Sequence, residues 1–109
     1  MAEIILRGVN PKIWEVTCIK EIPDKVHKGD VLYVTKAKSI EIDGDRRLDV
    51  ILFFNPVNNT FNVSTINQHN LKYNFKYNNN KPDETMLLET LINYINLHNS
   101  EGYTLILKP

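Results

Sequence analysis

Apolar and polar positions alternate along much of this chain, and the stretches that break the alternation are the most informative. The strongest break is Leu48-Asp49-Val50-Ile51-Leu52-Phe53-Phe54, where five consecutive apolar residues run up to Asn55-Pro56. The run is too short for a typical helix and rich in β-branched and aromatic side chains. It predicts a strand covered on both faces, at the centre of a sheet. Upstream, Val31 to Ile42 reads as one long extended segment, closed by Asp43-Gly44, a strong hairpin signal. Glu3 to Val9 reads as a first strand that stops in the turn-rich Gly8-Val9-Asn10-Pro11. Ile13 to Lys20 follows, with Trp14, Val16 and Cys18 on one face, and Glu21 to Lys28 is a polar loop.

Beyond Asn55-Pro56, Thr60 to Ile66 predicts another strand and Asn67 to Asn70 a loop. Leu71 to Tyr77 alternates without a break, which places residues 71, 73, 75 and 77 on the core side and Lys72, Asn74 and Lys76 outside. Asn78 to Pro82 resembles a linker, and Asp83 sits where an N-cap belongs. Leu87, Leu88, Leu91, Ile92 and Ile95 then recur at helical spacing. Gly102 stands where a helix-ending glycine is expected. Tyr103 to Leu107 predicts a last strand, inserted between neighbours or covered on both faces. The fold class is α+β. It is either an antiparallel sheet or a small, partly open barrel of five to seven strands, with one C-terminal helix and the last strand. At 109 residues the chain is expected to form a single domain, 1–109.

Charge changes this picture little. Thirteen basic residues balance thirteen acidic ones, so neither a general nucleic-acid binder nor an acidic mimic of DNA is advertised. The single cysteine, Cys18, has no partner for a disulfide and packs best as a small hydrophobe. Met1-Ala2-Glu3 and the short apolar run after it do not read as a secretory leader, and no stretch is long enough to span a membrane. The expected setting is cytoplasmic.

Candidate chemistry is sparse. His27, His69 and His98 lie far apart, with no second ligand at metal-binding spacing. No nucleophile elbow, phosphate-cradling glycine loop or zinc motif occurs, so no enzyme, cofactor or metal is expected. Glu41, Asp43, Asp45 and Asp49 surround Arg46-Arg47 and predict a hairpin tip with paired charges. Such a tip also offers two adjacent arginines to an acidic or phosphate-bearing partner. Lys72, Asn74 and Lys76, extended by Lys36 and Lys38, form a second candidate surface that would hold phosphates. Strand alternation puts Tyr73 and Tyr77 on the opposite side from those lysines, which argues against a shared surface.

Two segments carry a resemblance. Trp14 to Ile19 with Lys28-Gly29-Asp30-Val31-Leu32-Tyr33-Val34 resembles small SH3-like barrel proteins of bacteriophages and their hosts. Leu88 to Ile106, with Glu101-Gly102-Tyr103, is similar to small phage proteins that end in a helix, an E-G-(W/Y) turn and a strand. The resemblance implies a small non-enzymatic binding protein of phage or mobile-element type, whose partner is a host protein, a defence factor for instance, that it inhibits or sequesters. The alternatives are a nucleic-acid-binding small β-barrel and an oligomer that traps a nucleotide-like signal.

Overall fold

A computed structural model describes residues 2–65, 68–98 and 102–109. The elements run β1 (Ala2–Arg7), β2 (Trp14–Cys18), β3 (Val31–Ile42), β4 (Asp45–Asn55), β5 (Thr60–Ser64), α1 (Gln68–Asn74), β6 (Phe75–Tyr77), α2 (Leu88–His98) and β7 (Tyr103–Lys108). The strands make one sheet in the order β5-β4-β3-β1-β7, with β2 joined to β3 and β6 joined to β2. One edge of β3 is shared: Val31–Val34 pair with β2, and Ser39–Ile42 pair with β1. The sheet therefore forks into a β2–β6 arm and a β1–β7 arm.

This is an α+β fold, but not a barrel: β5 and β7 end the strand order unpaired to each other, so the sheet stays open. Nor is it purely antiparallel, since β7 lies parallel to β1. β7 is also an edge strand, with only Leu105 fully buried, rather than a strand inserted between neighbours. Its outer edge is met by α2. The Asn96 side chain accepts a hydrogen bond from Leu105 N–H (2.8 Å) and donates one to Leu105 O (2.9 Å). No helix among the described residues is long and apolar enough to cross a membrane.

The two-sided strand is as expected. Val50, Leu52 and Phe54 join the core under α2, with Leu88, Leu91, Ile92 and Ile95. Ile51 and Phe53 join a second core under α1, with Val16, Cys18, Leu71 and Phe75, and Phe53 stacks on Phe75 at 5.2 Å. The Asp43-Gly44 turn has positive φ at both positions (50° and 81°), the geometry of a type I′ hairpin. Between Tyr33↔Phe54 and Ile42↔Asp45 the register lacks one pair, Lys38 opposite Asp49, where Asp49 turns left-handed (φ 54°). The inward face changes phase there: Ala37 and Ile40, three residues apart, both pack under α2.

Residues 71–77 are not one strand. They form the end of α1 followed by β6. Leu71 and Phe75 satisfy a spacing of four as well as of two, and both bury in the same core, while Tyr73 turns out to 59% exposure. Asn74, expected outside, is 9% exposed and closes the helix. Its amide donates to Lys20 O (3.0 Å), and its carbonyl accepts from Ile19 and Lys20 N–H. The C-terminal helix starts at Leu88, five residues after Asp83. Asp83 instead builds a turn, its carboxylate accepting from the Thr85 N–H and hydroxyl, so Leu87 leaves the apolar face at 65% exposure. Gly102 directly precedes β7 in a left-handed conformation (φ 75°), and its carbonyl accepts from Ala2 N–H at the start of the parallel pairing. The expected strand end at Ile66, Asn67 of the expected loop, and Glu101 of the helix–strand motif lie outside the described residues.

Candidate functional site

The fork of the sheet leaves a cavity of about 350 Å³ on the α1 side, where β2 begins, β3 passes and α1 meets β6. Its floor is Val34, Ile51 and Leu71. One wall is aromatic: Trp14 and Tyr77 meet edge to face, with centroids 5.6 Å apart and planes at 78°. The mouth carries Lys12, Lys36 and Lys72, each exposed, together with the amides of Asn10, Asn79 and Asn80. Among the described residues, no acidic side chain lines it.

Each of these groups is held locally. The 10–12 loop is pinned to β3 by Asn10 N–H to Lys36 O (2.8 Å) and by the buried Thr35 hydroxyl, 2.8 Å from Asn10 O and 3.0 Å from Lys12 O. The Asn10 side chain accepts from Lys12 N–H (3.0 Å). Ile13 buries under α2, so its neighbours Lys12 and Trp14 reach the other side of the sheet together. At the far wall, Asn78 donates from its backbone to Glu15 O (3.1 Å) and from its amide to the Glu15 carboxylate (2.9 Å). These bonds fix where Asn79 and Asn80 enter the mouth. Burial pushes the Tyr77 phenol above its ordinary value, so the aromatic wall stays neutral at physiological pH. With lysines on the rim and an aromatic wall, the described lining suits an anion joined to a flat apolar group.

The candidates from sequence separate. Lys36 and Lys72 converge on this pocket. Lys38 lies just outside it, its side chain crossing Gly8. Lys76 is exposed but points away from Phe75 and Tyr77 on β6, and Asn74 is structural. The regular Lys-Asn-Lys face therefore does not form. The supposed segregation of lysines from tyrosines fails for the same reason: because residue 72 is helical, Lys72 and Tyr77 share a cavity. Arg46 and Arg47 are exposed on the hairpin but alternate across it, so they cannot act as one fork. Arg47 lines a separate depression with Ile40, Phe61 and Tyr103, whereas Arg46 pairs across from Glu41. Neither arginine is in an ion pair with a described residue; His27–Glu21, at 3.6 Å and exposed, is the ion pair the described residues make. Among them, no three metal-ligating side chains gather. The side chain of His69 is not described.

Sequence reasoning passed over Lys12, Trp14, Asn79 and Asn80. The signal at Lys12-Ile13-Trp14 was available, since alternation about a buried Ile13 places the cation and the indole side by side. The other two sat in what reads as a linker. Compared with protein-family models, with curated proteins and with solved structures, the chain finds no match, and the reading of this pocket rests on its own geometry.

Proposed function

We propose that this chain is a non-enzymatic binding protein whose pocket takes a nucleotide. One observation carries the reading: an aromatic pair and three lysines, with no carboxylate among the described lining residues, surround a single cavity. The volume lies at the small end of ligand pockets, which suits one nucleotide better than a larger cofactor. A base lies against Trp14 and Tyr77, where stacking is tolerant of base identity. The Asn10, Asn79 and Asn80 amides offer donors and acceptors to the base edge. Lys12, Lys36 and Lys72 neutralise the phosphate as flexible point charges. The described lining is lysine, asparagine, threonine, aromatic and aliphatic, a set suited to holding a ligand. A small protein of this kind sequesters or inhibits a host component by holding its nucleotide moiety.

Isothermal titration with adenosine and uridine monophosphates, the matching nucleosides and inorganic phosphate tests this. Both monophosphates are expected to bind and each half alone to bind far more weakly. Lys36→Gln with Lys72→Gln should weaken the monophosphates at least tenfold. Equal affinity of the variant, or no binding by the wild type, contradicts the reading. A protein partner is the second reading, favoured by Leu87 just before α2 and by Tyr94 and Leu97 on it, which are 65%, 47% and 78% exposed. Capture of that partner would survive the lysine changes.

A further inference from the structure

We propose that the pocket is the head of a track for single-stranded nucleic acid, which leaves it at Lys36 and runs over Lys38 and Arg7 to Lys108. The inference rests on the nucleotide reading of the pocket and names what that nucleotide belongs to.

The track lies on the sheet face opposite α2, along an arm that contributes nothing to the described core under α1. The core under α1 draws its residues from β2, β3, β4, α1, β6 and the 22–26 loop, and none from β1 or β7. On β1, Ile4 and Leu6 face α2, so Ile5 and Arg7 face the open side. On β7, Leu105 and Leu107 face α2, so Ile106 and Lys108 share the open side with them. Register makes these neighbours: Arg7 stands opposite Ser39 of β3 and beside Lys108 of β7, and Ile5 stands beside Ile106.

Lys38 links this arm to the pocket. It follows Lys36 by two residues on β3, and its stem lies directly on Gly8: a Cβ there would stand 2.7 Å from Lys38 Cγ and Cδ. Gly8 in turn joins Arg7 to Asn10 of the pocket mouth. Six cations are thus contiguous: Lys12, Lys36 and Lys72 at the pocket, then Lys38, Arg7 and Lys108. The acids of the same region are segregated. Glu3, Glu41 and Asp43 surround, with Ile5, a depression at the far end of the β1–β3 pairing, where a phosphate would be repelled. A chain of zero net charge therefore presents a basic path with an acidic stop.

The dimensions suit an extended strand. Alternate residues on β3 lie about 6.7 Å apart and adjacent strands about 4.8 Å apart, so the path beyond the pocket accommodates roughly two or three further nucleotides. The aliphatic pair Ile5–Ile106 marks the end of the path, since Ile5 stands opposite Glu41 and borders the acidic depression. Affinity carried by phosphate contacts of this sort falls with added salt.

The test is fluorescence anisotropy with labelled thymidine and uridine strands of about four and about eight nucleotides, alongside competition by the mononucleotide. The expected result is at least a tenfold gain from mononucleotide to the shorter strand and little more for the longer. Arg7→Gln with Lys108→Gln should remove that gain and flatten the salt dependence, leaving mononucleotide affinity unchanged. Lys38→Gln with Lys108→Gln, both at exposed positions, gives the same readout should the Arg7 variant unfold. Strands that bind no tighter than the mononucleotide, or a gain that survives both variants, overturn the track while the pocket reading stands. Blunt duplexes that bind as tightly as single strands also overturn it. Strands that bind through Lys38 and Lys108 while the mononucleotide does not bind uphold the track and remove the pocket reading. No binding by either ligand removes both.

Discussion

Replacing Asn96 with alanine deletes both hydrogen bonds that its amide makes to the backbone of Leu105, at 2.8 and 2.9 Å. Only one orientation of the amide satisfies both, so the side chain stands in for the strand that β7 lacks on its outer edge. Each bond contributes about 1 kcal/mol net, and the burial of Leu105 moves the cost upward because water reaches the freed groups poorly. Alanine recovers about 0.5 kcal/mol through its better helix propensity. The net loss is about 2 kcal/mol, which lowers Tm by about 8 °C in a domain of this size. Thermal unfolding followed by far-ultraviolet circular dichroism reads it directly. Asn96→Asp should lose at least as much, since its carboxylate faces the Leu105 carbonyl without a proton to donate. Sedimentation at rising concentration should show the alanine variant self-associating, because an uncovered strand edge is a template for pairing. A Tm that stays level or rises, as helix propensity alone would give, refutes the capping role.

Phe53→Ala removes a fully buried ring stacked on Phe75 and should cost about 3–5 kcal/mol, read as a fall in the urea midpoint. Gly8→Ala places a side chain at φ 61° and against the Lys38 stem, for a loss of about 1–2 kcal/mol. A double-mutant cycle with Lys38→Ala should return the part due to Lys38 Cγ and Cδ, but neither the remaining Cβ contact at 3.0 Å nor the backbone part. The Thr85 hydroxyl, then the Thr85 and Met86 N–H groups, holds the Asp83 carboxyl below its ordinary value near 3.8. Its stabilising effect is therefore present above the unfolded value and is lost as pH falls through the lower folded one. Asp83→Asn should flatten the acid limb of a Tm-versus-pH profile in that window. Trp14→Ala should cost nucleotide affinity about 1–3 kcal/mol, the worth of one stacking contact, with little change in salt dependence.

The parts of the fold legible in the sequence are those with a single consistent period. Val50–Phe54 admits only a strand buried on both sides, Asp43-Gly44 admits a tight reversal, and Leu88, Leu91, Ile92 and Ile95 admit one helical face. Residues 71–77 misled because Leu71 and Phe75 satisfy both the strand and the helix period, and a tertiary choice, burial beside Phe53, decides between them. The parallel pairing of β7 with β1 joins the two ends of the chain, a contact that no local pattern encodes. The pocket was legible only in fragments. Lys12, Lys36 and Lys72 come from three distant segments, and a balanced total charge conceals that they converge on one mouth. The alternation rule also failed at Asp49, where a left-handed residue changes which side of the β3–β4 pair faces inward.

Trp14 is the chain's one tryptophan, so its emission reports on this pocket and on no other place in the protein. Titrating a nucleoside monophosphate while following that emission is the most direct test of the nucleotide-binding claim. A saturable change that weakens with added salt and shifts to higher concentration in Lys36→Gln is the expected result. Emission that stays constant into the millimolar range, under conditions where the protein is folded, contradicts it.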